Sequence, residues 1–384
     1  MGGIFEKIFH YERRFDTLSV GYYTYLMICY TVCIMESIRV GIVGCGNIGS
    51  FHAKVLQEVE GAGLAAVADP NTAQAQKLGG EYGCPSFPGF REMLDWGGVD
   101  LVSICLPPAL HFEAAMAAAE KGKHILMEKP MDVSTAQADK MISYCHSRGV
   151  KLGVVSQHRF DPIIQVLRNL LAEKGERSRL GKPLMGTTKT LWYRGSDYYE
   201  SGGGWRKLKS NQGGVLMTQA IHNIDLLQYL MGGVEAVQSV CRTLLHRDIE
   251  VEDTGLALLR FKGGAIGSIE ATTIAYPGLM TELNIYTENA TVSIKNDKLE
   301  FYHAKNGPIP ELDALLGDKE DNTAASADPM SLDTKAHAAQ YRDMIDAINE
   351  NREPLVNGEA GRAAMALIEA MLQTSEGESW RAVK

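Results

Sequence analysis

The sequence has no excess of basic residues and no closely spaced pair of cysteines. Its formal net charge is −9 over 384 residues, which argues against a general binder of nucleic-acid backbones but leaves room for small anionic ligands. Its seven cysteines are scattered without C-x-x-C spacing, so the pattern predicts neither a zinc site nor a dithiol redox motif. We therefore expect no metal and no nucleic-acid partner, and reduced thiols favour a cytoplasmic protein.

Long apolar runs are scarce, although one uncharged stretch stands out near the start of the chain. Residues 18–35 read LSVGYYTYLMICYTVCIM, which is marginal in length for a membrane span of about 20 apolar residues and is rich in Tyr and Thr. Arg13 and Arg14 precede it, so a membrane anchor is the alternative interpretation. We expect the functional protein to begin at Met35, with no membrane partner, and we place residues 1–34 outside the fold as an extension.

Strand and helix patterns alternate from residue 38 to about residue 157. Continuous apolar runs predict buried parallel strands, and the segments between them have helical patterns. The alternation predicts a doubly wound α/β domain of the Rossmann type at residues 35–157. The predicted strands cover residues 38–44, 64–69, 99–106, 124–127 and 151–156.

The alternation of predicted strands and helices ends at about residue 157. One long helix is predicted at residues 214–231, and strands joined by short turns follow it. Consecutive hairpins predict an α+β domain with an open, mostly antiparallel sheet at residues 158–384. We expect this domain to bind substrate and to mediate oligomerisation, and its two closing helices are free to pack back on the first domain.

A glycine motif lies between the first predicted strand and the first predicted helix. Gly44, Gly46 and Gly49 have the G-x-G-x-x-G spacing, in which the glycines allow a tight turn, close approach of a pyrophosphate and packing of helix on strand. The helix that begins at Asn47 and Ile48 directs its unpaired N–H groups at the phosphates. The motif alone is weak, but its position between strand and helix predicts a dinucleotide site.

Asp69 ends the second predicted strand, about 20 residues after the glycine motif. At that position a carboxylate accepts hydrogen bonds from the adenine ribose hydroxyls, whereas the alternative is a residue that merely starts the turn with Pro70 and Asn71. The carboxylate would repel a 2′-phosphate, and residues 70–72 supply no Arg or Lys to bind one. We therefore predict NAD rather than NADP as the cofactor.

Glu128-Lys129-Pro130 follows a predicted parallel strand, at the edge of the sheet where ligands bind. Pro130 disfavours a helical conformation at Lys129, and desolvation of the amine would lower its pKa toward a range suited to proton transfer. From the residues alone, a surface lysine in a turn is an equally good interpretation.

Five segments, taken in order, resemble the glucose–fructose oxidoreductase / inositol dehydrogenase (Gfo/Idh/MocA) family from about residue 38 to the C-terminus. The resemblance implies an NAD-dependent oxidoreductase that transfers a hydride between nicotinamide and a hydroxyl or keto carbon of a sugar, sugar derivative or cyclic polyol. It also implies a homodimer or homotetramer. The segments are RVGIVGCGNIGSFHAKVL, AAVADPN, VDLVSICLPPALHFEAAMAAAEKGKHILMEKP, GGVLMTQAIHNIDLLQYLMG and YRDMIDAINENREPLVNGEAGRAAMALIEAM.

The resemblance also implies roles for particular residues. Lys129 and His222 would face the substrate as catalytic residues, while Pro107, His111 and Glu128 would help to bind the cofactor. Many family members have Asp four residues before the histidine, but this chain has Thr218, which cannot act as a carboxylate base. We expect Thr218 to line the substrate pocket, and Asp225 to orient the imidazole of His222.

The remaining substrate-site candidates lie in two segments. Aromatic faces suit sugar rings and arginine suits a carboxylate or phosphate, so the loop from 189 to 207 is expected to contribute to the pocket. The alternative for the loop is an exposed glycine-rich segment without a binding role. The alternative for His158 is a buried linker residue. The candidates are Tyr193, Arg194, Tyr198, Trp205 and Arg206 in the loop, and Gln157 and His158 where the two domains meet.

Two other functions remain open at this point. A few relatives of this fold bind dinucleotide without catalysis and regulate partner proteins, and Thr218 leaves room for that interpretation. One branch of the family uses tightly held NAD transiently to cleave glycosides. Lys129 and His222 favour the dehydrogenase over the regulator.

Overall fold

Six strands of the first domain form a parallel sheet. The computed structural model describes residues 37–175, 178–316 and 334–377, so the predicted extension at residues 1–34 lies outside the described residues. The strands are β1 (Ile38–Val43), β2 (Ala62–Ala68), β3 (Ser86–Phe87), β4 (Leu101–Ile104), β5 (His124–Met127) and β6 (Leu152–Val154), in the order β3-β2-β1-β4-β5-β6. This is the strand order of the Rossmann fold, which confirms the predicted fold class.

Helices separate these strands along the chain. Because they cover the sheet, the apolar run of β1 is buried, with Val40 and Ile42 at 0% exposure. The strand β3 has only two residues, too few to give a periodic signal, and the sequence did not predict it. The helices are α1 (Asn47–Leu56), α2 (Thr72–Tyr82), α3 (Phe90–Trp96), α4 (His111–Glu120) and α5 (Thr135–Arg148).

The second domain contains a seven-stranded sheet that is antiparallel except where β7 pairs with β10. The strand order is β13-β12-β11-β7-β10-β9-β8, which confirms the open, mostly antiparallel sheet. The strands are β7 (Pro183–Leu191), β8 (Val234–Arg242), β9 (Thr254–Phe261), β10 (Ile266–Thr272), β11 (Met280–Thr287), β12 (Ala290–Lys295) and β13 (Lys298–Ala304).

One face of the second sheet is covered by helices. Burial alternates along β9, with Leu259 and Phe261 inside and Leu256 and Leu258 outside, as expected for a sheet covered on one side. The helices of this domain are α6 (Pro162–Ala172), α7 (Ser196–Glu200), α8 (Ile221–Met231), α9 (Pro310–Asp313), α10 (Thr334–Asn349) and α11 (Gly358–Glu376). The closing helices also contact the first domain, α10 at α1 and α11 at α5 and β6.

The helix predicted at residues 214–231 differs from a regular α-helix in its first part. Residues Leu216–Ala220 form a wider π-helical turn, and α8 begins at Ile221. A π-turn is wider than an α-helical turn, so the predicted helix is not regular in the part that contains Thr218. Among the described residues, no helix has the length and apolar character needed to cross a bilayer.

Candidate active site

The glycine motif makes a turn that larger residues could not make. Gly44 has a φ of 96°, and a Cβ on Gly49 would lie 1.8 Å from the carbonyl oxygen of Gly44. In contrast, a Cβ on Gly46 would meet no protein atom within 4 Å. Gly46 is exposed and is the N-cap of α1 without a capping side chain, so the first N–H groups of the helix border an open space.

Asp69 lies beside this turn. Its carboxylate accepts hydrogen bonds from the backbone N–H groups of Cys45 at 2.8 Å and Asn71 at 2.7 Å. The residue therefore makes the turn contact that the sequence offered as an alternative, and it also places a negative charge next to the glycine motif. An open cradle at Gly46, a helix N-terminus and an adjacent carboxylate fit a dinucleotide.

Pro107 and His111 follow β4, but the structure places them differently. Pro107 is exposed at the end of the strand. His111 is fully buried, and its ring nitrogens contact the carbonyl oxygens of Leu106 at 2.7 Å and Pro130 at 3.0 Å. Burial lowers the pKa of His111. The ring therefore joins the loop after β4 to the turn at Pro130, and the predicted cofactor contact of His111 stays a prediction.

Glu128 faces the protein interior rather than an open site. Its carboxylate contacts Nε2 of His52 at 2.9 Å and accepts the backbone N–H of Lys129 at 3.1 Å. His52 in turn contacts the hydroxyls of Tyr341 on α10 at 2.8 Å and Ser103 at 3.0 Å. Burial favours the neutral acid, but the hydrogen bond and charge of His52 lower the pKa of Glu128 to about 2. Glu128 therefore forms a buried ion pair with His52 next to Lys129, and its predicted cofactor contact stays a prediction.

The amine of Lys129 reaches the second domain. Its Nζ donates a hydrogen bond of 2.9 Å to the carbonyl oxygen of Thr218, in the π-helical turn before α8. The hydroxyl of Thr218 is occupied within its own turn, donating to the carbonyl oxygen of Gly214 at 2.8 Å. The backbone of Thr218 therefore contacts Lys129, while the predicted role of its side chain in the substrate pocket stays a prediction. Burial and the charge of Arg206 lower the pKa of Lys129, against the opposing effect of Glu128.

Lys129 and His222 line the same small cavity. Ser156, Ile221 and Asp225 also line it, so side chains of both domains meet there. Burial lowers the pKa of His222 well below its ordinary value, and the positive charge of Lys129 acts in the same direction. The imidazole is therefore neutral near pH 7 and able to accept a proton.

Asp225 does not orient His222, and that prediction is wrong. Its carboxylate accepts two hydrogen bonds from Arg159, at 2.7 and 2.5 Å, and one from the hydroxyl of Ser156 at 2.5 Å. The sequence analysis missed Arg159, because nothing in a single sequence tells which of several cations pairs with a helix carboxylate. This buried contact joins α8 to the turn at residues 157–160.

His158 in the same turn contacts the edge of the site. Its ring lies edge-to-face with that of His222, with centroids 5.4 Å apart. Its Nδ1 is 2.8 Å from Asp161 and 3.7 Å from Asp297. Burial would lower the pKa of His158, but these carboxylates raise it to about 9. His158 is therefore an imidazolium at neutral pH, while the neighbouring residue Gln157 is buried.

The aromatic loop after β7 divides into a buried part and a partly exposed part. Arg194 is 4% exposed, with its guanidinium 4.8 Å from the ring centroid of Trp192, which places it in the packing of the loop. Tyr193 packs edge-to-face on the exposed ring of Tyr276 at 5.1 Å. The partly exposed members are Tyr198, Trp205 and Arg206, whose guanidinium stacks on both rings at 4.8 and 4.5 Å.

The glycine turn and Lys129 lie at the carboxyl edge of one parallel sheet, and His222 of α8 lines the same cavity as Lys129. This arrangement is typical of a nicotinamide-dependent oxidoreductase. Two family models match the chain, one described as an oxidoreductase family with an NAD-binding Rossmann fold over residues 38–156 and the other as its C-terminal alpha/beta domain over residues 176–383. The chain belongs to the Gfo/Idh/MocA oxidoreductase family.

Several characterised relatives are similar over nearly the whole chain. A UDP-N-acetylglucosamine 3-dehydrogenase of Acidithiobacillus ferrooxidans is 27% identical over 351 residues, which span 88% of this chain and 100% of that protein. A myo-inositol 2-dehydrogenase of Thermotoga maritima is 25% identical, covering 86% of this chain and 93% of that protein.

A solved structure has the same architecture. The WlbA dehydrogenase from Bordetella pertussis, in complex with NADH and UDP-GlcNAcA, is 29% identical and superposes with a TM-score of 0.76. The match covers 89% of this chain and 97% of that one.

Proposed function

We propose that this protein is an NAD-dependent dehydrogenase or reductase that acts on a hydroxyl or keto carbon of a sugar, a sugar derivative or a cyclic polyol. The observation that carries the proposal is the cavity that both Lys129 and the neutral His222 line. The relatives named as sugar and inositol dehydrogenases support the substrate class.

The proposed catalytic roles follow from the contacts of each side chain. Bound NAD supplies the hydride acceptor at its nicotinamide ring. Lys129 is held at one N–H by the carbonyl of Thr218, so its other hydrogen-bonding positions are left to bind and orient the substrate oxygen. His222 accepts the hydroxyl proton during oxidation and returns it during reduction.

The proposed cofactor and substrate sites lie in different parts of the chain. Residues 35–157 would hold NAD, with Gly44, Gly46, Asn47, Ile48 and Gly49 around the phosphates and Asp69 at the adenine ribose. Residues 158–384 would hold the substrate. The open space at Gly46 and the negative charge of Asp69 support this division and favour NAD over NADP.

A panel assay tests the proposal. The protein is incubated with NAD and a set of hexoses, inositols and nucleotide sugars, and reduced cofactor is followed by absorbance. We expect accumulation of NADH with at least one sugar or polyol. Binding of NAD without reduction would support a regulator, and sugar release without net NADH would support a glycosidase.

We further propose a cytoplasmic homodimer or homotetramer. The uncovered face of the second sheet carries exposed apolar side chains, with Leu258 at 67%, Ile266 at 58% and Phe301 at 50% exposure, and pairing with a second copy would cover them. The free cysteines Cys45 and Cys105 are compatible with a reducing compartment. Light scattering would report an oligomer, and Leu258→Asp is expected to reduce its size.

A further inference from the structure

The helical segment that carries Thr218 and His222 starts without a capping side chain of its own. It begins at Val215, and the residue before it, Gly214, has no side chain. The first N–H groups of a helix have no partner inside the helix, and a Ser, Thr, Asp or Asn at the preceding position usually accepts one of them. The acceptors for this segment must therefore come from another part of the chain.

Glu252, two residues before β9, supplies these acceptors. Its backbone carbonyl oxygen accepts the N–H of Val215 at 3.0 Å, and Oε1 of its carboxylate accepts the N–H of Leu216 at 3.0 Å. The residue is partly buried, so the bond to Leu216 is partly shielded from water. Glu252 therefore caps the segment through a contact that spans 36 residues of sequence.

Gly214 leaves room for this carboxylate. A Cβ on Gly214 would lie 2.1 Å from Oε1 of Glu252, and its three nearest heavy atoms would all belong to Glu252. The φ of Gly214 is not positive, so this angle does not require glycine. The absence of a side chain at Gly214 therefore serves the close approach of Glu252.

The capped turn also holds the amine of Lys129. The carbonyl oxygen of Gly214 accepts the N–H of Thr218 at 3.0 Å and the hydroxyl of Thr218 at 2.8 Å. The carbonyl oxygen of Thr218 in turn accepts a hydrogen bond from Nζ of Lys129 at 2.9 Å. Hydrogen bonds within one helical turn thus connect Glu252 with the amine, and a displacement of the turn would move the acceptor of Lys129.

We propose that Glu252 is a positioning residue of the dehydrogenase, which fixes the turn whose carbonyl at Thr218 holds the amine of Lys129 beside the substrate oxygen. This inference rests on the proposed function, because that function assigns the amine to the substrate oxygen. A carbonyl acceptor favours the charged ammonium over the free amine. Loss of the cap should therefore lower the pKa of Lys129 and leave its amine less well oriented.

Competitive labelling with acetic anhydride tests the proposal without turnover. The full chain is labelled at a series of pH values, and mass spectrometry of its peptides gives the extent of acetylation at Lys129. Glu252→Ala should move the midpoint of this curve to lower pH, so that labelling below the midpoint is about tenfold faster, as expected for loss of a hydrogen bond to a charged group. Glu252→Gln keeps an oxygen for the N–H of Leu216 and should label like the wild type. The exposed Lys121, beyond the C-terminal end of α4, is the internal reference.

Kinetics with the best substrate of the panel test the consequence for catalysis. Glu252→Ala should reduce kcat about tenfold at an unchanged affinity for NAD, and the basic limb of the pH profile should move to lower pH with the pKa of Lys129. Glu252→Gln should recover most of the loss. Glu250→Ala is the matched control, because its exposed carboxylate also accepts a backbone N–H, that of Lys209 at 3.1 Å, but lies outside the turn. This control should keep the wild-type kcat.

Gly214→Ala gives an independent route to the same contact. Its methyl group would displace the carboxylate of Glu252, so the single variant should show a lowered labelling midpoint and a lowered kcat. In the Glu252→Ala background the methyl group meets no carboxylate, so the double variant should be no worse than Glu252→Ala alone. Losses that multiply in the double variant would overturn the proposed contact.

Thermal unfolding shows which variants are folded, and Gly214→Ala carries the test if Glu252→Ala does not fold. A labelling midpoint of Lys129 that is unchanged in the folded variants would overturn the proposal, as would a loss of kcat that Glu252→Gln does not recover. Shifted midpoints without NADH formation by the wild type on any sugar of the panel would retain the contact and reject the dehydrogenase, so the two failures are distinguishable.

Discussion

The cofactor cradle and the Lys129–His222 cavity are built in opposite ways. The cradle consists of consecutive backbone at residues 44–49, where a Cβ on Gly49 would collide with the carbonyl oxygen of Gly44 and a Cβ on Gly46 would enter the open space proposed for NAD. The cavity consists of side chains from distant segments, and the contact of Lys129 with Thr218 alone spans 89 residues of sequence. The first site is sensitive to added atoms, whereas the second is sensitive to lost functional groups.

Removing the amine from the cavity should have the largest effect. Lys129→Met is expected to reduce turnover by about 10²- to 10⁴-fold, because positioned proton transfer and hydrogen bonding are lost. The affinity for NAD should stay nearly unchanged, as the cradle lies on other residues. Steady-state kinetics and NAD titration measure the two quantities, with Lys121→Met as control. Unchanged turnover would remove Lys129 from the chemistry.

A methyl group added at Gly49 should lower the stability of the fold, whereas one added at Gly46 should weaken NAD binding. Gly49→Ala would press a Cβ against the carbonyl oxygen of Gly44 and is expected to lower the free energy of unfolding by about 3 kcal/mol. Gly46→Ala meets no protein atom, so it should unfold at the wild-type temperature but bind NAD about tenfold more weakly. Equal thermal stability of the two variants would contradict the geometry of the turn.

Replacing Asp69, the carboxylate beside the glycine motif, should change the preference for NAD over NADP. We expect this effect to be smaller than those of the substitutions above. Asp69→Ala is expected to weaken NAD binding by about tenfold, because one hydrogen bond to a charged group is lost. The ratio of the affinity for NAD to the affinity for NADP should also fall. Asp69→Asn keeps the shape and removes the charge, so it isolates repulsion of the 2′-phosphate. Should the ratio of the two affinities stay constant in both variants, Asp69 does not select the cofactor.

The pH profile of the oxidation should report the lowered pKa of His222. His222 must be deprotonated to accept the hydroxyl proton, so kcat/KM for oxidation should fall only below its lowered pKa, under the ordinary value of 6.5. After burial, Lys129, His158 and His337 are the groups that lower this pKa. His158→Gln should therefore move the acid limb to higher pH. A limb at the same pH in both proteins would show that His158 does not act on His222.

Sequence reasoning succeeded where a feature is local and failed where it depends on packing. Gly44 and Gly49 belong to a single turn, so their spacing predicted the tight turn and close packing that the structure has. The partners of Glu128 and Asp225 come from α1 and from the turn after β6, and several arrangements of charges suit the same sequence. The fold class followed from hydrophobic periodicity. The sequence did not predict β3 and the π-helical turn, which are too short to have a period of their own, nor the helices α3 and α6.

A double-mutant cycle on turnover tests most directly whether Lys129 and His222 act on one substrate oxygen. The rates of the wild type, Lys129→Met, His222→Asn and the double variant are measured with the best substrate of the panel. If the two side chains act as a unit, the double variant should be about as slow as the slower single variant. Losses that multiply would show that the two groups act independently, which would contradict the shared active site.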